Sequence, residues 1–285
     1  MRYFIFFCLF FNSLSLAQEA LTNHSNLFSP TNVRKFADYL FTQRDYLRAI
    51  EEYQRYPSIL ENDTVNFKIG FAYSEIGHNQ QAAEQFLNTS SKSIFFDLSK
   101  LEYLKSIFKE NNFEKYRYTF ENLKLKENYI YFQKAKELFY FSYLFSDECL
   151  PPKVKFLETF SSNQNEISKF YDWKTDPPYK SALTAVILSS IIPGAGKIYT
   201  EKYADGIIAF LATGILGYIS YTDFKAAHRF RAWVFSALTA GFYGGNIYGS
   251  AASAFIFNAK IKFDFIESLK NFLEKNNYFI PKINF

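Results

Sequence analysis

Apolar positions in the first half of the chain return at three- and four-residue steps, the spacing of one face of an α-helix. In Tyr46-Leu47-Arg48-Ala49-Ile50-Glu51-Glu52-Tyr53 a small residue, Ala49, is followed four positions later by an aromatic, Tyr53. The same order returns over 79–86, where Ala82 and Phe86 each lie 33 positions beyond their counterparts. Residues 113–120 make a third copy: Phe113 opens it, Phe120 follows Phe86 by 34 positions, and Tyr116 fills the small-residue slot. A period near 34 predicts stacked helix pairs, because no single pair buries its apolar side alone. Each copy has a preceding helix, clearest over 67–77. There Gly70 leaves room for the paired helix, Tyr73 packs beside it, and Gly77-His78-Asn79 makes the turn. A fourth pair, around 131–144 and 153–170, continues the helical pattern without the small-plus-aromatic signature.

These positions resemble the tetratricopeptide repeat. Gly70, Tyr73, Ala82 and Phe86 match that family's key positions, and Ala37, Tyr46, Ala49 and Tyr53 match in the copy before. The third copy keeps Phe113 and Phe120 and departs at Leu104 and Tyr116. The resemblance implies a curved surface that binds a peptide or a partner protein. Tyr116, Tyr118, Tyr129, Tyr131 and Tyr140 are the candidates to line it, since aromatics give a large contact area with a polar edge. Filling the gaps between helices is the competing use for each.

The pattern changes at Tyr171-Asp172-Trp173-Lys174-Thr175-Asp176-Pro177-Pro178. Adjacent prolines end a helix, so a linker is expected over 171–180. Three uncharged stretches follow, at 181–196, 206–222 and 232–259. Pro193, Gly194 and Gly196 break the first. The second, at about 1.5 Å per residue, falls just short of the roughly 30 Å hydrocarbon core, whereas the third is long enough to cross alone. Along the third, Ala237, Gly241, Gly245, Gly249 and Ser253 recur every four positions; Gly206, Thr213 and Gly217 are the small positions on the second. Such a stripe predicts two helices in close contact, in lipid or in a soluble core. The stretch length and the flanking Trp233, Tyr243 and Tyr248 favour the membrane. The short connection sets Lys225, Arg229 and Arg231 against Asp223, which predicts it on the cytoplasmic side with both outer ends outside. Residues 263–285 are expected to form an amphipathic tail.

Pro193-Gly194-Ala195-Gly196-Lys197-Ile198-Tyr199, followed by Asp205-Gly206 and an apolar helix, resembles the opening of small bacterial membrane domains built as a helical hairpin. Those domains show a Pro-Gly-x-Gly-x-x-Tyr turn, and Glu201 stands where they have glycine. The resemblance implies an embedded hairpin and brings no activity with it. Gly194-Ala195-Gly196-Lys197 is not a phosphate-binding loop. Ile191 stands where that loop needs glycine and Ile198 where it needs Ser or Thr, so no nucleotide is expected.

Composition adds limits. Arg2, the apolar run 3–11, and the small residues Ser15 and Ala17 predict a signal peptide over 1–17, cleaved before Gln18; an uncleaved anchor is the other reading. Its removal leaves Cys149 as the one cysteine, so stability must come from packing. His24, His78 and His228 lie far apart without companions at ligand spacing, so no metal is expected. A net charge of +4 without a dense basic run does not suit nucleic acid. No nucleophile, base and orienter stand at a recognisable spacing, and neither an enzyme nor a cofactor is expected. The expected fold is all-α: a repeat-like helix-pair solenoid over 30–170, then a membrane-associated helical hairpin over 181–262. The expected function is an exported scaffold, anchored in the cytoplasmic membrane with its repeats facing the periplasm and holding a protein partner. The second reading is an accessory subunit of a membrane insertion, envelope assembly or transport complex.

Overall fold

The computed structural model describes residues 27–123, 125 and 131–280, with fourteen helices and no strand among the described residues. The signal segment 1–17 and Tyr129 lie outside them. The chain divides into two compact units, the first running to Ser161 and resuming at Phe279, the second spanning Ser162–Tyr278.

The first unit carries helices α1 (Pro30–Thr42), α2 (Tyr46–Gln54), α3 (Pro57–Leu60), α4 (Asp63–Glu75), α5 (Asn79–Leu87), α6 (Phe96–Lys109), α7 (Phe113–Asn122), α8 (Phe132–Phe145) and α9 (Lys153–Glu158). Starts are set by side chains that satisfy the free N–H groups of the first turn. The Ser29 hydroxyl accepts from the Asn32 N–H at 3.4 Å, Asn62 accepts from Thr64 and Val65, and Asn112 accepts from Lys115. Pro30 at the first turn of α1 loses no bond there. The turns between paired helices share one geometry. Arg44, Gly77 and Asn111 each take a left-handed φ near 60–80°, and the next residue is the N-cap of the following helix. These turn residues are 33 and 34 positions apart, the period of the Ala49, Ala82 and Phe86, Phe120 pattern.

Packing follows the small residues. Ala37, Ala49, Tyr53, Ala72 and Ala82 are fully buried. A Cβ on Gly70 would come within 2.8 Å of the Phe86 ring, so only glycine lets α4 approach α5 this closely. Tyr53 donates to Asp38 at 2.5 Å, and Lys68 donates to the same carboxylate at 2.6 Å. Burial, and then that bond, push the Tyr53 phenol far up. Tyr73 is half-buried and stacks on His78, Phe113 stacks on Phe145, and Phe120 packs on Phe132 and Phe139.

The second unit contains α10 (Gln164–Thr175), α11 (Ala182–Ile191), α12 (Ala195–Tyr199), α13 (Tyr203–Lys225) and α14 (Arg229–Lys275). The helix expected over 153–170 is therefore two helices. A break with Asn163 at φ 59° separates them, and α10 falls in the second unit. Phe170 and Trp173 hold α10 there by edge-on contacts with Phe265 and Phe272 of α14. The proline pair still ends α10. The expected tail is not separate: α14 runs unbroken through residue 263, with Phe265, Leu269, Phe272 and Leu273 buried at helical spacing.

Candidate membrane and partner-binding surfaces

The Pro193–Tyr199 segment packs backbone on backbone. Gly194 takes φ 88°, and a Cβ there would fall 2.0 Å from the carbonyl oxygen of Gly206. On Gly196 it would fall 1.9 Å from the Ala185 oxygen, and on Gly206, 2.6 Å from Ile198. These three glycines bring α11, α12 and the start of α13 into contact no side chain would allow. Hydroxyls close the remaining polar groups. Ser189 accepts from the Gly196 N–H at 2.9 Å and shares a bond of 2.6 Å with Ser250, while Thr200 pairs with Ser253 at 2.7 Å. Asn258 both accepts from and donates to the Lys180 backbone, at 2.8 and 3.0 Å. The Tyr199 hydroxyl accepts from the Ser181 N–H at 3.3 Å, and Pro193 is half-buried beside the turn. Glu201 takes a left-handed φ of 65°, the conformation a glycine at that position supplies without strain.

The close contact expected along the glycine stripe is not found. A Cβ on Gly241 or Gly245 would meet nothing within 4 Å, and on Gly217 only Thr239 at 3.7 Å. Gly249 faces the Lys197 side chain, 3.3 Å from where a Cβ would lie. The physical reason lies at the two ends of the hairpin. Near its loop, α13 and α14 are tied by Ser220, which donates to the Ala232 carbonyl at 3.1 Å and shares a bond of 2.6 Å with Ser236. At the other end α12 packs on both helices and its Lys197 lies over α14. Between these ends the helices leave an open cavity of about 550 Å³, with Gly241 and Gly245 on its wall.

Among the described residues, Tyr203–Lys225 is the one helix long and apolar enough to cross a membrane, and 232–259 does not qualify. This corrects the expectation that 232–259 crosses alone, while the second stretch, expected to fall just short by itself, qualifies within a longer helix. The structured helix extends past the uncharged run at both ends to 23 residues, about 34 Å at the helical rise. The small and polar residues of the stripe dilute the apolar character of 232–259. A core helix of a soluble protein would also pass on length and composition, but it would be buried. Here only 17% of the apolar window is buried, and Ile208, Leu211, Ile215 and Tyr218 are exposed. Exposed Trp233 and Phe242 continue this surface onto α14. In the connecting loop Asp223 is buried and lies 3.5 Å from Arg231, leaving Lys225 and Arg229 to carry its net positive charge.

On the first unit two of the candidate partner-binding tyrosines belong to the core. Tyr116 is fully buried and donates to the Ala135 carbonyl at 2.9 Å, with burial pushing its phenol well up; Tyr140 is buried against Phe156. Both fill the space between α7, α8 and α9, so neither lines a surface. Tyr118 is exposed and Tyr131 half-buried. The concavity lies elsewhere, a cavity of about 280 Å³ between α5 and α6 whose wall includes Asn79, Glu84, Tyr103, Glu110 and Lys115. Sequence reasoning passed over Tyr103, because it carries no part of the repeat signature. Beneath this face runs a charged interior. Lys105 and Glu102, both buried, are joined at 2.5 Å, and burial holds the Glu102 carboxyl above its usual range. Buried Arg117 bonds Ser142, Ser146 and Glu148 and lies over the Tyr143 ring. Among the described residues no three His, Cys, Asp or Glu side chains converge as a metal site. No family model, no curated protein and no solved structure matches the chain.

Proposed function

We propose that the chain is a membrane-anchored, exported scaffold, in which the second unit is seated in a bilayer and the first holds a protein partner through tetratricopeptide-like helix pairs. The exposure of α13 carries this reading. A 23-residue apolar helix left largely uncovered would be costly in water and is at home in lipid. The shared turn geometry at Arg44, Gly77 and Asn111 supports the repeat reading, and the cavity beside Tyr103 is its binding surface. The positive charge of Lys225 and Arg229 supports a hairpin loop on the cytoplasmic side, and with it an exported first unit. In a flotation assay with phosphatidylcholine–phosphatidylglycerol vesicles, the full chain is expected to rise with lipid and to resist an alkaline wash. Release by that wash, as for a peripheral protein, would overturn the anchor. Orientation is read with single cysteines at Ala227 and Asn79 in a Cys149→Ser background. An impermeant thiol reagent should reach Asn79→Cys on intact cells and Ala227→Cys only after lysis.

A further inference from the structure

The cavity between α13 and α14 has a polar end and an apolar trough. Lys197, Asp205 and Asn246 stand at one end; Ile208, Ala212, Leu238, Gly241 and Gly245 line the rest. From Asp205 to Ala212 the trough runs about 10 Å along α13. Its polar end lies at the start of the membrane-crossing helix, where a lipid headgroup would lie, and the trough points towards the hydrocarbon.

Asn246 is the informative residue. It is only 4% exposed, yet neither its amide nitrogen nor its amide oxygen has a hydrogen-bond partner. Buried amides are almost always satisfied, so one that lines a cavity with both ends free marks where a ligand's polar groups belong. The charges beside it say which polar groups. Among the described residues neither Lys197 nor Asp205 has an ion-pair partner within 4.0 Å, although both border this cavity. Opposite charges held apart in one site complement a head that bears both signs. The small residues have a matching use, because a Cβ on Gly241 or Gly245 would meet nothing within 4 Å, which leaves room along the groove for an acyl chain.

We propose that this cavity binds one phospholipid with an ammonium-bearing head, of the phosphatidylethanolamine type. An acyl chain lies along the trough, the phosphate meets Lys197, the ammonium meets Asp205, and the Asn246 amide bonds the ester region. The proposal rests on the second unit being membrane-embedded, and it goes beyond that reading by assigning a specific lipid site. It also gives the glycine stripe a role other than helix contact.

The test uses the full chain in phosphatidylcholine nanodiscs doped with equal small fractions of phosphatidylethanolamine and phosphatidylglycerol, followed by detergent release and native mass spectrometry. One retained phosphatidylethanolamine per chain is expected. Gly245→Leu and Gly241→Leu fill the trough and, with nothing near either Cβ, should melt like the wild-type chain. Each should lower retention about tenfold. Asp205→Asn should keep a lipid and lose the preference for phosphatidylethanolamine over phosphatidylcholine. Unchanged retention in both leucine variants would overturn the site, as would equal retention of all three lipids by the wild type. A dimer that disappears in the leucine variants would overturn it in favour of a second copy filling the groove. A chain that fails to enter nanodiscs defeats the membrane reading and this site with it; entry without retention defeats the site alone.

Discussion

A methyl group on Gly196 would lie 1.9 Å from the Ala185 carbonyl oxygen, while one on Gly241 would touch nothing within 4 Å. Gly196→Ala is therefore expected to destabilise the full chain in detergent by about 1–3 kcal/mol through backbone displacement. Gly241→Ala should stabilise it by about 0.5–1 kcal/mol, since alanine limits the unfolded chain more than glycine does. Thermal melts followed by circular dichroism decide, and equal melting of the two variants would remove the tight turn from the account. The contrast shows what a one-dimensional pattern carries. Four-residue spacing places Gly241, Gly245 and Gly249 on one face, but it does not say how far away the next helix is. Distance was set by α12 and its Lys197, which are remote from the stripe in sequence. The Pro-Gly-x-Gly turn was legible because its constraint is local. The unpartnered amide of Asn246 was not, because an orphaned amide is visible only once its surroundings are known.

At the scale of the helix, α6 keeps its own ion pair inside the core. Glu102 and Lys105 lie one turn apart, and nothing in a lysine and a glutamate at that spacing distinguishes them from an exposed pair. Their burial depends on the helices that pack on α6, among them α5, α7 and α8, and that packing is not written in the segment itself. Lys105→Met should destabilise the protein by about 3–5 kcal/mol at neutral pH, because it leaves Glu102 charged and buried without its partner. Burial raises the Glu102 carboxyl, while Lys105 and, more weakly, Lys109 and Lys134 oppose the rise. A carboxyl raised on folding contributes stability below its unfolded value, and that contribution is lost as pH climbs through the folded one. The deficit of the variant should therefore shrink as pH falls from neutral towards about 4.3, where glutamate ordinarily titrates. Urea unfolding of both proteins across that window measures it; a deficit independent of pH would show that Glu102 is not the uncompensated group. The repeated turns were only partly legible for a related reason. Gly77 announces a left-handed residue, but Arg44, Asn111, Glu201 and Ala227 adopt the same conformation without announcing it.

At the scale of the molecule, the sequence showed the all-helical class and the change of character near the prolines, and it misplaced where one unit ends. Phe170 and Trp173 look like the end of one helical array, yet they meet Phe265 and Phe272 about a hundred residues away, and local periodicity does not report such pairings. Helix α14 joins that remote contact to the hairpin without interruption, over 47 residues and about 70 Å. That is more than twice the roughly 30 Å of a bilayer's hydrocarbon core. Such a helix behaves as a shaft, fixing the distance and the angular bearing of one end relative to the other. One alanine inserted after Lys262 should turn the Phe265, Leu269, Phe272 face by about 100° and strip Trp173 of its aromatic neighbour, whereas the same insertion after Lys275 should leave it in place. Tryptophan emission should shift to the red only in the first variant, and an unshifted spectrum there would mean the shaft has a joint. If it has none, a twist or pull applied at one end of α14 is felt at the other, so that the helix passes on torque and tension as well as position.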